Sequence, residues 1–152
     1  MMNIELLDPA VADDQYCWLV KLGELLLGVD TRGAWCMRRS DREVFYFDFP
    51  SSFVPLEPIL ELEHGTLFSF LRKAAAAHPT LADAILDFPT LPLIRHTLGT
   101  AFSEYWPTKA LAWLTVDAGI LPHLKDELER FSNNKVMSQA ARQQAKRLMR
   151  AA

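Results

Sequence analysis

The fold class follows from one stretch of the chain, AWCMRRSDREVFYFDF at residues 34–49. Its second half alternates, so that Phe45, Phe47 and Phe49 share one face of an extended strand. The polar residues 39–42 supply a turn, across which the segment that begins at Trp35 would pair. The stretch therefore predicts a β-hairpin.

Downstream of the hairpin the pattern changes from strand to helix. From residue 65 onward, apolar side chains recur at helical spacing, as in Leu67, Phe70 and Leu71. Proline and glycine divide this region into about five or six helices, the last spanning about Lys135 to Arg150. The sequence thus predicts an α+β, mostly helical fold, with an N-terminal β-hairpin or small antiparallel sheet packed on a bundle of about five or six helices.

The chain before the hairpin is ambiguous. Asp8 followed by Pro9 is typical of a helix start, and a helix from there would run to about Leu22. Residues 16–20 nevertheless have strand composition, so the secondary structure of residues 16–33 stays open. After the hairpin, three prolines between positions 50 and 58 predict an extended connection.

Length and composition indicate one domain with an uneven charge distribution. The chain has 152 residues, of which 50% are hydrophobic and 23% charged, and this excludes a disordered tail. We expect a single domain over residues 1–152. Residues 1–64, the acidic mixed α/β part, carry five basic and twelve acidic side chains, whereas residues 65–152, the helical part, carry eleven and seven. The formal net charge of −3 therefore hides a split of −7 against +4.

The sequence contains no complete catalytic motif. It lacks the glycine-rich phosphate loops, the Gly-x-Ser-x-Gly elbow and the helical zinc-protease pattern. The densest group of potential metal ligands, Glu61, Glu63 and His64, lies in an acidic linker where such a group arises readily by chance. We expect no enzyme activity, no catalytic residue, no metal site and no cofactor.

The cysteines and the N-terminus favour a cytoplasmic location. Cys17 and Cys36 lie among aromatic and apolar residues and belong to no Cys-x-x-Cys motif, as is typical of buried reduced thiols in the cytosol. Residues 1–5 lack the features of a signal peptide, and no apolar run approaches the ~20 residues that span a bilayer. We therefore expect no membrane partner.

The C-terminal segment 135–152 carries five basic and no acidic side chains. A basic amphipathic helix of this kind suits an acidic or nucleic-acid surface. The alternative is that its cations only interact favourably with the helix C-terminus. The segment has no interleaved aromatic residues, which argues against base stacking.

Two tryptophans, Trp106 and Trp113, lie seven residues apart on nearly one helix face. They fit a core ridge for the phenylalanines of the hairpin. They also fit an aromatic anchor at a protein interface, where tryptophan and tyrosine commonly dominate the binding energy.

Residues 65–131 contain two notable motifs, Phe88-Pro89-Thr90-Leu91 and SEYWPTKALAWL (residues 103–114). The sequence pattern of this region resembles that of bacterial immunity proteins of contact-dependent inhibition and related polymorphic-toxin systems. The resemblance implies a cytosolic inhibitor that binds one cognate toxin domain, often a nuclease. No contact residue of that diverse family transfers to this chain, and the basic tail departs from an acidic mimic of nucleic acid.

We therefore expect an immunity protein that neutralises a cognate toxin domain by non-covalent binding. The alternatives are a helical adaptor or regulatory protein-binding domain and, below it, a small enzyme. A nuclease toxin needs a basic surface to hold phosphate, so an acidic face on its inhibitor speeds association. We do not expect nucleic acid as a partner of this chain. The candidate partner-binding residues are all acidic: Asp13, Asp14, Asp30, Asp41, Glu43, Glu57, Glu61 and Glu63.

Overall fold

The computed structural model describes residues 3–39, 43–99 and 103–152. Its composition of 58% helix and 21% strand confirms the α+β, mostly helical fold class. Within the described ranges the chain forms five strands followed by six α-helices, with the sheet at the N-terminal end.

The five strands form one antiparallel meander in the order β1-β2-β3-β4-β5. Their bounds are β1 Ile4–Ala12, β2 Tyr16–Leu22, β3 Leu25–Asp30, β4 Trp35–Arg39 and β5 Val44–Tyr46. The helix that Asp8-Pro9 suggests is therefore wrong, because this dipeptide lies inside β1. Pairing with β2 on both sides of the dipeptide, at residues 4–6 and at residues 11–12, holds the segment extended, and the register of the two strands shifts between Leu6 and Val11.

The hairpin predicted from residues 34–49 is confirmed as β4 and β5, but β5 ends at Tyr46, so Phe47 and Phe49 lie beyond the strand and the shared face predicted for the three phenylalanines is wrong. Cys36 pairs with Tyr46, Met37 with Phe45, and Arg38 with Val44. The turn predicted at residues 39–42 lies mostly outside the described residues.

Gly28 on β3 lies where the sheet leaves no room for a side chain. It pairs with Trp18 on β2 and with Cys36 on β4. A Cβ atom at this position would overlap the backbone carbonyl of Cys17, and backbone cannot move aside as a flexible side chain can. Only glycine therefore fits here.

The helices mostly follow the periodicity of the sequence. Their bounds are α1 His64–Ala77, α2 Ala82–Leu86, α3 Thr90–Gly99, α4 Tyr105–Val116, α5 Lys125–Ser132 and α6 Gln139–Ala151, with 3₁₀ helices at Pro50–Glu61, Pro79–Leu81 and Ala118–Leu124.

Two of the predicted boundaries are wrong. The proline-rich connection is a 3₁₀ helix rather than extended chain, because the fixed φ of proline suits a 3₁₀ helix as well as an extended segment. The last helix begins at Gln139, not near Lys135, because the Ser138 hydroxyl accepts a hydrogen bond from the Ala141 N–H at 3.2 Å and caps the helix there.

The chain packs into two compact units. The sheet unit comprises residues 1–52 and 65–89, and the helical unit comprises residues 53–64 and 90–152. In the sheet unit, the Trp35 indole N–H donates to the Ala84 carbonyl at 2.9 Å and so ties α2 to β4. In the helical unit, α3, α4, α5 and α6 bury leucine, isoleucine, alanine and aromatic side chains between them. The single domain expected over 1–152 stays a prediction.

Both cysteines are inaccessible in the folded protein. Cys17 is 1% and Cys36 0% exposed, and burial raises the pKa of Cys36 to about 12. Since the thiolate is the reactive species, we expect less than about one-hundredth of the alkylation rate of an exposed thiol at pH 8. Mass spectrometry after iodoacetamide treatment, with and without urea, measures this. Rapid native labelling of Cys36 would contradict the buried position of β4.

Candidate functional site

The acidic residues predicted to bind a partner fall into both units. Four of them belong to the sheet unit and three to the helical unit, and Asp41 lies outside the described residues. The sheet-unit residues are Asp13, Asp14, Asp30 and Glu43, and the helical-unit residues are Glu57, Glu61 and Glu63. The residues of the predicted acidic face are therefore divided between the two units.

Asp30 is buried and serves its own loop. One carboxylate oxygen accepts from the Arg32 and Ala34 N–H groups, both at 2.9 Å. The other accepts from the Tyr46 hydroxyl at 2.9 Å and from the Arg32 guanidinium at 3.2 Å. Burial opposes ionisation, but these hydrogen bonds outweigh it and lower the pKa of Asp30. Asp30 therefore has a structural role in its own loop, and its predicted role in partner binding stays a prediction.

The other described acidic residues of the sheet unit are exposed. Asp13 closes the turn between β1 and β2, where it accepts from the Gln15 and Tyr16 N–H groups at 2.8 Å each. These hydrogen bonds lower the pKa of Asp13, so its charge is maintained in acid. Asp14 and Glu43 lie on the surface. Asp13 is thus first a turn-forming residue, though its exposed edge still carries negative charge.

Glu57 is half-buried on the first 3₁₀ helix, Pro50–Glu61. Burial raises its pKa, while the Thr97 hydroxyl on α3 lowers it in part. Near the start of the same 3₁₀ helix, the Phe53 ring lies 6.4 Å from the ring of His96, a buried residue whose pKa burial lowers. Glu57 therefore contributes to packing between this helix and α3 as well as to surface charge.

Residues 61–64, here called the 61–64 segment, run along α4 from its first residue to the residue after its end. Glu61 lies beside the Tyr105 hydroxyl at the start of α4. The Trp113 indole N–H donates to the Leu62 carbonyl at 2.9 Å. The His64 Nε2 lies 3.3 Å from the Asp117 carboxylate. Because three points fix the segment, the exposed Glu63 between them is held on the outer side of the helical unit.

Tyr105 is the exposed aromatic residue at this end of α4. Its side chain is 50% exposed and meets the half-buried Trp106 ring edge-to-face at 4.8 Å. The Lys109 ammonium lies 5.6 Å from the centre of the Tyr105 ring, on the next turn of the helix. Desolvation, followed by the charge and hydrogen bonding of Glu61, raises the pKa of Tyr105. The ring is thus held in place before any partner arrives.

We call Glu61, Glu63 and Tyr105 the acidic–aromatic surface. A fixed tyrosine beside carboxylates can pack on a partner side chain and pair with its cations. Tyr105 was not predicted from the sequence, where the aromatic stripe was assigned to Trp106 and Trp113 alone. Helical periodicity was the signal that could have found it, because Tyr105 lies about 100° around the helix from Trp106 and therefore off the face that Trp106 and Trp113 share.

Trp113 and His64 have a structural role in the same region. Trp113 is 2% exposed, and the His64 ring meets it edge-to-face at 5.3 Å. Trp113 is therefore a core residue of the helical unit, whereas the predicted packing of Trp106 and Trp113 on the phenylalanines of the hairpin stays a prediction. Within the linker group, Glu61 lies beside the Tyr105 hydroxyl and His64 faces the Asp117 carboxylate, so the two side chains have different neighbours. Across the described ranges, no group of three or more histidine, cysteine, aspartate or glutamate side chains is arranged to hold a metal ion.

The electrostatic division between the units differs from the division along the sequence. The sheet unit carries seven basic and eleven acidic side chains, a net −4, and the helical unit carries nine and eight, a net +1. The difference arises because residues 53–64, with three glutamates, belong to the helical unit. The acidic–aromatic surface is therefore a local negative patch on the helical unit, whose net charge is slightly positive.

Comparison with known proteins gives no match to a family model, a curated protein or a solved structure. In the part of the chain that the structure describes, every helix is too short or too polar to cross a membrane.

Proposed function

We propose that the chain is an immunity protein that binds and neutralises a cognate bacterial toxin domain without covalent chemistry. The observation that carries this proposal is the acidic–aromatic surface. Its tyrosine is exposed and oriented by a neighbouring carboxylate, and its second carboxylate sits on a segment anchored along α4. Such a surface suits binding, because its groups are held in place and face outward.

The chemistry of the surface favours a basic partner. Glu61 and Glu63 are two residues apart on an ordered segment, so a cationic patch can meet both. Nuclease domains carry such patches because they hold phosphate, and an inhibitor that covers the patch blocks the substrate. We therefore propose a nuclease as the class of toxin. The sheet unit, at net −4, adds long-range attraction for the same partner at low salt.

A co-expression assay tests this function directly. The product of each reading frame that neighbours this gene is expressed alone and together with the chain, and survival is counted. For one of these products we expect growth only in the presence of the chain, and recovery of a stable complex of the two purified proteins. If the chain gives no protection and no complex forms with any of these products, the proposal is wrong. A complex with a non-toxic partner instead would favour the adaptor.

Charge reversal at the acidic–aromatic surface tests its part in binding. We expect Glu61→Lys with Glu63→Lys to slow association with the toxin about tenfold at 20 mM salt and to flatten its salt dependence. Stopped-flow fluorescence measures both quantities. Glu57 is left unchanged, since it is half-buried and its reversal would also disturb packing on α3.

The matched control reverses two exposed acidic residues of α5 in the same unit, Asp126→Lys and Glu129→Lys. It changes the net charge by the same amount, and we expect its effect to be about threefold or less. Equal slowing by both pairs would show that only total charge matters and would remove the acidic–aromatic surface from the interface.

A further inference from the structure

The basic side chains at the C-terminal end form a surface of their own. The basic surface is defined as Lys135, Arg142, Lys146, Arg147 and Arg150. We propose that it docks on the phosphate backbone of a nucleic-acid duplex, without reading the base sequence. This site is independent of the proposed function, because it uses other residues and another partner.

The cations of the basic surface form no ion pairs with other described residues, and most of them are exposed. Arg142 is half-buried and the other four are exposed, and none forms an ion pair with another described residue. Cations elsewhere often do: Lys73 pairs with Asp8 at 2.6 Å and Arg95 with Glu127 at 3.7 Å. The charge of the basic surface is therefore free to meet an external anion.

Four of the five cations of the basic surface lie on α6, and the packing of this helix excludes insertion into a membrane. The apolar stripe of α6 is Ala141, Ala145 and Leu148, and all three residues are buried where α6 packs in the helical unit. A helix that inserts into a bilayer surface needs a free apolar face. Only the polar face of α6 is free, so its interaction with a partner is electrostatic.

The residues around these cations favour a nucleic-acid backbone over a protein. Segment 135–152 contains no aromatic residue, and its only large and strongly exposed apolar side chain is Val136. Protein interfaces depend on buried aromatic or apolar anchors, whereas phosphate contacts use arginine, lysine and glutamine. Gln139 and Gln143 on the exposed side of α6 fit the second pattern.

The absence of aromatic residues also favours a duplex over a single strand. Single-strand binding relies on bases stacked on aromatic rings, whereas a duplex is held through its regularly placed phosphates. The acidic net charge of the chain lies in the sheet unit, which carries a net −4. The helical unit that carries the basic surface has a net charge of +1.

The test uses the full chain and a dye-labelled DNA duplex of 24 base pairs with arbitrary sequence. We expect a Kd of about 10 µM at 50 mM salt and a log–log salt slope near −3 to −4, as for about four phosphate contacts. The triple variant Lys146→Gln, Arg147→Gln, Arg150→Gln should weaken binding at least about tenfold and reduce the slope by about 2 to 3. Fluorescence anisotropy measures both.

Two further variants keep this test decisive. Lys135→Gln, Lys146→Gln, Arg147→Gln spares Arg150, whose charge supports the helix C-terminus, and should show the same loss. The control Lys21→Gln, Arg39→Gln, Lys125→Gln removes three exposed cations outside the basic surface and should keep wild-type binding.

Four results would overturn the proposal. These are no duplex binding by the wild-type chain at 50 mM salt, equal losses in the control, tighter binding to a single strand of equal length, and a basic surface that instead mediates salt-dependent self-association in analytical ultracentrifugation. Loss of duplex binding without loss of toxin protection would separate this site from the proposed function.

Discussion

Replacing Trp113 with alanine is expected to lower the free energy of unfolding by about 4 kcal/mol, because it removes a large buried ring and leaves a cavity. The ring is 2% exposed, its N–H donates to the Leu62 carbonyl, and the His64 ring packs on it. Urea unfolding followed by circular dichroism at 222 nm measures the change. We also expect faster amide hydrogen exchange in the 61–64 segment, since one of its three attachment points is lost.

Two variants give this result its meaning. Trp113→Phe keeps most of the ring but removes the N–H, and we expect a loss of about 1.5 kcal/mol. Trp106→Ala removes the half-buried tryptophan of the same helix, with an expected loss of about 1.5 kcal/mol or less. If Trp113→Ala costs no more than Trp106→Ala, Trp113 is not the anchor of the 61–64 segment.

Replacing Asp30 with alanine is expected to lower the free energy of unfolding by about 3 kcal/mol. Two backbone N–H groups, the Tyr46 hydroxyl and the Arg32 guanidinium lose their acceptor at once, and the backbone groups lie in a tight turn. Urea unfolding at pH 7 measures the change. The control Asp14→Ala, at an exposed position, should stay within about 0.5 kcal/mol of wild type.

The same network gives the stability of the protein a defined pH dependence. The pKa of Asp30 is lowered from its ordinary value of 3.8, so its stabilisation is complete above that value and disappears as the pH falls through the lower folded pKa. Burial and the hydrogen bond to Asp30 raise the pKa of Tyr46 to about 12 from 10.0. The stabilisation from Tyr46 is therefore complete below pH 10 and is lost as the pH rises towards 12.

These measurements also decide between two roles for Asp30. A structural residue gives a variant that is less stable but, once folded, associates with the toxin at the wild-type rate. A partner-binding residue, as predicted from the sequence, gives a variant with unchanged stability and slower association. The second outcome would show that the hydrogen bonds of Asp30 are dispensable.

The parts of the fold that the sequence predicted well are those in which local pattern and tertiary packing agree. The alternating phenylalanines after residue 43 indicated β5 and its partner β4, and helical spacing indicated α1 and α3. The meander was underestimated at β1 because the local signal of Asp8-Pro9 is that of a helix start. Pairing of residues 4–6 and 11–12 with β2, which sequence periodicity does not report, places this segment within a strand.

The candidate site was less predictable because proximity in sequence is not proximity in the fold. The eight acidic residues all carry negative charge and all lie in the first 64 positions of the sequence. Asp30 is nevertheless buried in a turn, and residues 57–63 belong to the helical unit. Tyr105 joins Glu61 across 44 positions. No spacing rule reports such a contact, since it depends on how the 61–64 segment lies along α4.

The two units are built from alternating segments of the chain, and the order of these segments affects folding on the ribosome. The helical unit takes residues 53–64 and then skips residues 65–89, which belong to the sheet unit, before α3 begins. The contacts that hold the 61–64 segment therefore close long loops: 51 residues for Leu62 with Trp113 and 53 residues for His64 with Asp117. Closing a loop of this length costs about 3.5 kcal/mol of conformational entropy. All chain segments of the sheet unit emerge before those loops can close, so synthesis itself orders assembly, with the sheet unit first and the acidic–aromatic surface completed afterwards.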